Sequence, residues 1–235
     1  MTSPQNNHDV PENEPLIGSP SAAPSEDAGI YRNLVTGTAT VAQAGILILA
    51  ALIWSGIFSA DLNLFSAHPL LNSSALLLQV QATLVLQPTT TAVPKHKLLG
   101  TRIHYTVQAL SALAFLAAFI VIEVNKGDHP RLVSPHGILG LITYIAILLQ
   151  ALLGVTQYFL PRKVLGSVDA GKSLYKYHRW YGYALLLLEL ATVSAATRTT
   201  YNLTTLHIQL WTVLVAAVLV AAGVGARVRK HKLGL

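Results

Sequence analysis

The sequence predicts an all-α, polytopic membrane protein of six transmembrane helices, and three observations carry that prediction. Apolar residues fill 52% of the 235 positions and charged residues only 11%, against about a quarter charged in soluble domains. The apolar positions gather into six runs, each near the roughly 20 residues that a hydrocarbon core of about 30 Å requires. Between the runs, thirteen of the sixteen Lys and Arg fall on one side of the alternation. Only Lys126, Arg131 and Arg198 fall on the other, which puts both termini in the cytoplasm.

Residues 1–30 are rich in Pro, Ser, Asn and Glu and contain no long apolar run, so they read as a disordered cytoplasmic tail and not as a cleaved signal peptide. The first helix is expected from Val35 to Phe58, ending before a polar DLN turn. The second opens at Pro69, a favourable first-turn residue, and continues to Gln87. It carries Asn72, Gln79, Gln81 and Gln87 and so belongs inside the bundle. The stretch PTTTAVPKHKLLG reads as a loop because its prolines and threonines oppose a continuous helix. A third helix spans Thr101 to Val124, and NKGDHPR turns the chain. A fourth spans Pro135 to Leu160 and stops at Pro161. The basic loop RKVLGSVDAGKSLYK leads to a fifth, Tyr177 to Ala196, and a sixth runs from Leu206 to Ala226. The transmembrane domain is thus 31–228, followed by a basic cytoplasmic tail, 229–235. Small residues in GVGA near the end of the sixth helix allow a close helix contact and, with it, a homodimer.

Composition also excludes classes of function. With no cysteine, disulfides, thiolate metal sites, iron–sulfur clusters and covalently attached c-type haem are ruled out. The net charge of +6 sits in short segments between apolar runs, where it sets topology and meets lipid headgroups. Nucleic acid is therefore not an expected partner; the lipid bilayer is.

Four histidines stand near the starts of the four central helices: His68 in FSAHPLL, His104 in GTRIHYTVQ, His136 in VSPHGILGL and His178 in LYKYHRWYGY. Helices two and four enter from the non-cytoplasmic side and helices three and five from the cytoplasmic side. The histidines accordingly sort into two pairs, one near each face. One histidine at a helix end is usually a polar residue at headgroup level, but matched pairing on both faces is hard to obtain by chance. An iron held by two imidazoles from facing helices has no open position and can change only its oxidation state, an arrangement suited to electron transfer. The fold expected is then a central four-helix dihaem bundle. Gly140 and Gly182 each lie four residues after a histidine, on its helix face, where a missing side chain leaves room for a flat ring. His207 begins the sixth helix with no partner, and His8, His96, His129 and His231 fall in tails or loops.

The same stretches resemble the cytochrome b561 family of ascorbate-linked transmembrane electron carriers, most closely its short cytochrome b561 domain-containing branch. LFSAHPLL is similar to the family's Phe-x-x-His-Pro signature, and TRIHYTVQ, LVSPHGILGL and LYKYHRWYGY to its three further histidine stretches, over roughly residues 30–232. The resemblance implies two haem b groups, one bound by His68 and His136 on the non-cytoplasmic side and one by His104 and His178 on the cytoplasmic side. It also implies a transmembrane reductase that takes electrons from cytoplasmic ascorbate to a ferric chelate or monodehydroascorbate. Asn72 stands where the family often has methionine. Of the basic residues near the cytoplasmic pair, Lys97, Arg102, Lys172 and Lys176 are the candidates for attracting an anionic reductant.

Glu189 lies eleven residues past His178, about 16 Å along the fifth helix. An acid at that depth either hydrogen-bonds to a polar group of a neighbouring helix, tunes a haem or passes protons. Two other readings of the whole remain open: a transporter whose histidines bind a cation or relay protons, and a structural haem protein. The membrane is an endomembrane, of the endoplasmic reticulum or a vesicle or vacuole, or the plasma membrane.

Overall fold

The computed structural model describes residues 29–234, so the expected disordered tail, residues 1–30, lies outside it but for its last two residues. Among the described residues no strand occurs, and every regular element is helical. Its helices are α1 Ala39–Phe58, α2 Ala67–Leu86, α3 Pro94–Lys126, α4 Pro135–Tyr158, α5 Pro161–Leu165, α6 Val168–Ser173, α7 Tyr175–Ala196 and α8 Leu210–Gly225. Four of them, α1 to α4, are long and apolar enough to cross a membrane; α2 counts here with the short turn that precedes it. The 22-residue α7 carries Lys176, Arg179 and Glu189, and α8 has 16 residues.

The tightest packing joins the first and last of these helices. An added Cβ on Gly45 of α1 would stand 2.7 Å from the Ala216 carbonyl oxygen, and one on Gly223 of α8 would run into the Ala42 amide and the Thr38 carbonyl. Lipid offers no hydrophobic drive between helices, so such close backbone approach, with its dispersion contacts, is what holds them. Thr38 Oγ1 adds a 3.1 Å hydrogen bond to the Gly223 carbonyl. The small-residue contact anticipated near GVGA is thus used within the chain, at Gly223, whereas nothing lies within 4 Å of an added Cβ at Gly225.

Helix α2 is central, as its polarity demands. Its three amides and that of Gln87, which caps it, each find a partner on another helix: Asn72 accepts from Tyr144 Oη, Gln79 donates to Glu189, Gln81 exchanges bonds with Gln43, and Gln87 donates to Tyr183 Oη and the Val224 carbonyl. Helices α2 and α3 run antiparallel, as do α4 and α7, and the two pairs together make a four-helix arrangement flanked by α1 and α8. Leu113 and Leu116 of α3 and Ile145 and Leu152 of α4 point outward, the apolar surface that lipid covers.

Several element boundaries depart from expectation. Helix α3 begins at Pro94, seven residues early, because proline suits the first helical position and no second proline follows it; Gly100 is tolerated where the helix packs against Thr89. His96 and Lys97 are therefore helical, and His104 sits ten residues into α3. The basic loop 162–176 instead holds α5 and α6, separated by Gly166 at φ 82° and restarted by the Ser167 hydroxyl capping the Ala170 amide. Helix α8 begins four residues late: the Asn202 side chain takes up the Thr197 and Ile208 carbonyls and the Ile208 amide, closing a π-turn that ends at His207, φ 54°. Within the basic tail 229–235, residues Lys230–Leu233 form a 3₁₀ turn that buries Leu233.

Candidate functional site

Local signals put three of the histidines in place. Asn63 and Ser66 exchange side-chain-to-backbone bonds in a capping box just before α2, which starts the helix one residue ahead of His68. Ser134 caps the Gly137 amide with Pro135 at the first position of α4, so His136 opens that helix. His178 follows the α6–α7 corner, its amide bonded to the Leu174 carbonyl.

The four rings come together in twos. His68 and His136 have ring centroids 6.3 Å apart with planes at 82°, and His104 and His178 lie 6.4 Å apart at 81°. Two metal–imidazole bonds of about 2 Å, with about 1.1 Å from each nitrogen to its ring centre, put two axial rings about 6 Å apart. Both pairs meet that spacing. Along α2, His68 and Ala82, whose carbonyl meets His104, are separated by about 21 Å of helix, so the pairs stand at opposite ends of the bundle.

Orientation of three rings follows one rule. His68 Nδ1 donates to the Ala118 carbonyl at 3.1 Å, His104 Nδ1 to Ala82 at 3.0 Å and His136 Nδ1 to Thr192 at 3.0 Å. A carbonyl oxygen only accepts, so each Nδ1 carries the hydrogen and each Nε2 is left with its lone pair free for a metal. The accepting carbonyls stand fourteen residues after His104, His68 and His178, about four helical turns on, and therefore on the same helix face. Helices α2, α3 and α7 thus each present a histidine of their own and the seat for their antiparallel neighbour's.

The surroundings suit a flat macrocycle. An added Cβ at Gly140 would meet nothing within 4 Å. At Gly182 the reason for glycine is different from the one expected: a Cβ there would stand 2.8 Å from Gln150 Nε2, so the position makes room for an amide. The glycine against His178 is Gly154, where a Cβ would approach Cε1 to 3.2 Å. Nothing flags Gly154 by its distance from a histidine on its own helix except that it follows His136 by eighteen residues, five full turns.

Around the His68–His136 end, Phe65 lies 5.8 Å from His68 and 4.5 Å from Tyr201, and Asn72 donates to the His68 carbonyl while accepting from Tyr144. The other end is basic. Lys232 Nζ donates to the Gln87 and Thr89 carbonyls, and Arg179 Nη1 donates to the Lys232 carbonyl. Burial pushes the Lys232 ammonium down to about 7, with Arg229, Lys97 and Arg179 adding like-charge repulsion. Of the four basic candidates, Lys97 alone enters this cluster. Arg102 is exposed, Lys172 is paired with Asp169 at 2.9 Å, and Lys176 lies over the Tyr177 ring at 5.0 Å. Arg179 and Lys232 were not singled out by sequence, since their meeting depends on the fold of the C-terminal turn. Glu189 is buried midway, accepting from Gln79 Nε2 at 2.6 Å.

The model of the eukaryotic cytochrome b561 family matches residues 67–204, a stretch that contains all four paired histidines. No curated protein matches the chain closely enough to count as a relative. Paired imidazoles on central helices, apolar spans and a family match over more than half of the sequence agree: the chain belongs to the eukaryotic cytochrome b561 family, integral membrane proteins that bind b-type haem and transfer electrons across the membrane.

Proposed function

We propose that this protein carries electrons from cytoplasmic ascorbate, or a related anionic reductant, through two haem b groups to a ferric chelate or monodehydroascorbate on the other side. The observation that carries the reading is the repetition of one ring spacing, 6.3 and 6.4 Å, at the two ends of one bundle. His68 and His136 hold the non-cytoplasmic group and His104 and His178 the cytoplasmic one. Haem b, when bound, supplies a one-electron iron couple with no open coordination position.

The chain's own residues do the rest. The carbonyls of Ala118, Ala82 and Thr192 hold three imidazoles with Nε2 turned inward and raise their basicity. Six helices, α1 to α4 with α7 and α8, cross the bilayer with both termini in the cytoplasm; Lys176 extends from α7 to the headgroups and Arg179 donates to the Lys232 carbonyl. Among Lys97, Arg102, Lys172 and Lys176, Lys97 has the strongest support as a donor-side residue because Arg179 and Lys232 lie beside it. At the opposite end an open cleft of about 370 Å³, bordered by Arg198, His207 and Trp211, offers a cation to an anionic acceptor. The membrane is an endomembrane or the plasma membrane.

Vesicles containing the purified protein and loaded with ascorbate test the reading. Reduction of external ferric citrate that depends on internal ascorbate is expected. Proton or cation flux without reduction would replace this reading by the transporter one.

A further inference from the structure

The rule that seats the rings has one exception. Fourteen residues after His136 stands Gln150, in the place where Ala82, Ala118 and Thr192 present a carbonyl to a neighbouring histidine. His178 Nδ1 makes no hydrogen bond there, although it is buried. The Gln150 side chain reaches the same residue another way, Nε2 donating to the His178 carbonyl at 2.9 Å. That bond fixes the amide: the nitrogen faces a carbonyl, so Oε1 is the free end, and Oε1 is likewise buried without a partner. The two orphaned atoms are complementary. A ligating Nε2 leaves the hydrogen on Nδ1, a donor, and Oε1 is an acceptor. A buried polar atom without a partner is destabilising, and pairing these two removes both penalties at once. Gly182 keeps the amide's place open, since any side chain there would meet Gln150 Nε2 at 2.8 Å, and Gly154, one turn past Gln150, lets the His178 ring lie against α4.

We infer that Gln150 is the positioning residue of His178, its Oε1 accepting from Nδ1–H when Nε2 binds iron, in place of the main-chain carbonyl that seats the other three rings. This rests on the haem assignment proposed above. A main-chain carbonyl cannot be varied by substitution, whereas a side-chain amide can be. Ligand strength at the cytoplasmic pair is therefore open to change at one residue. A stronger acceptor on Nδ1–H makes the imidazole a better donor to iron and favours the oxidised state.

Redox titration of the purified holoprotein and of two variants tests this. Gln150→Leu removes the acceptor and is expected to raise one of the two midpoints, changing the reduced-to-oxidised ratio about tenfold at fixed poise, or about 59 mV for one electron. Gln150→Glu, nearly the same shape, is expected to lower the same midpoint, and it carries the test if the leucine variant loses haem. The second midpoint stays in place in both. Midpoints unmoved in both variants, or two midpoints moving together, overturn the inference while leaving the haem assignment intact. A wild-type protein without b-type haem overturns both.

Discussion

The two ends of the bundle hold the same pair of rings at nearly the same spacing, yet they are built differently. At the His68–His136 end both Nδ1 atoms rest on main-chain carbonyls, and the neighbours are Phe65, Tyr201, Asn72 and Tyr144. At the His104–His178 end one ring rests on a carbonyl, the other beside an amide side chain, and the neighbours include Lys97, Arg179 and Lys232. Equal spacing with unequal surroundings means that helix packing sets the ring geometry and local chemistry sets what each end does with it. One end is lined by aromatic rings and the Asn72 amide; the other gathers Lys97, Arg179 and Lys232 beside the Gln150 amide.

The largest expected effect removes the symmetry altogether. Replacing any one of His68, His136, His104 or His178 by alanine is expected to lower haem content from two per chain to one, as measured by haem-to-protein ratio. Loss of both groups from a single substitution would mean that the ends are not independent. Crowding one end comes next. Gly154→Leu forces a side chain against His178 and is expected to cost about 1 to 3 kcal/mol, seen as lower thermal stability, and to weaken haem retention at the basic end only.

Between the ends, Glu189→Leu leaves Gln79 without its partner. Interhelical hydrogen bonds in membranes are worth about 0.6 kcal/mol on average, so a loss near 1 kcal/mol is expected, smaller in the double variant with Gln79→Leu, and both midpoints stay where they were. A shifted midpoint would show that the acid tunes one end. The smallest effect belongs to the basic end alone. Lys232 titrates near 7 in the folded protein against an ordinary 10.5, so the docked turn binds fewer protons than the released one. Docking therefore gains strength as pH rises from about 7 towards 10.5 and is weakest below 7. Hydrogen exchange over 229–234, corrected for its intrinsic pH dependence, is expected to be better protected at pH 9 than at pH 6.

Much of this was legible in the residues. Four spans follow from long apolar runs, and the amides Asn72, Gln79, Gln81 and Gln87, spread around α2 and its C-cap, mark its central place. Glu189 was recognisable as an acid too deep to stand alone, and its partner proved to be Gln79. What stayed hidden depended on contacts between distant segments. The sequence cannot show that Lys232 folds back onto the carbonyls that end α2, because the turn at Lys230–Leu233 is held by tertiary bonds from Arg179 and to Gln87. Nor does a fixed offset from one histidine reveal that Gly182 serves Gln150 and Gly154 serves His178, since both glycines answer to side chains on another helix. Helix α3 departs from expectation for a local reason: proline at Pro94 opens a helix as readily as it ends one.

The central claim is that two ring pairs of equal spacing each hold one haem b. Absorption spectroscopy of the purified protein, with haem and protein quantified on the same sample, tests it most directly. The account predicts b-type bands, two haems per chain and reduction of the pigment by ascorbate. A spectrum without b-type bands, or one haem per fully folded chain, would contradict it.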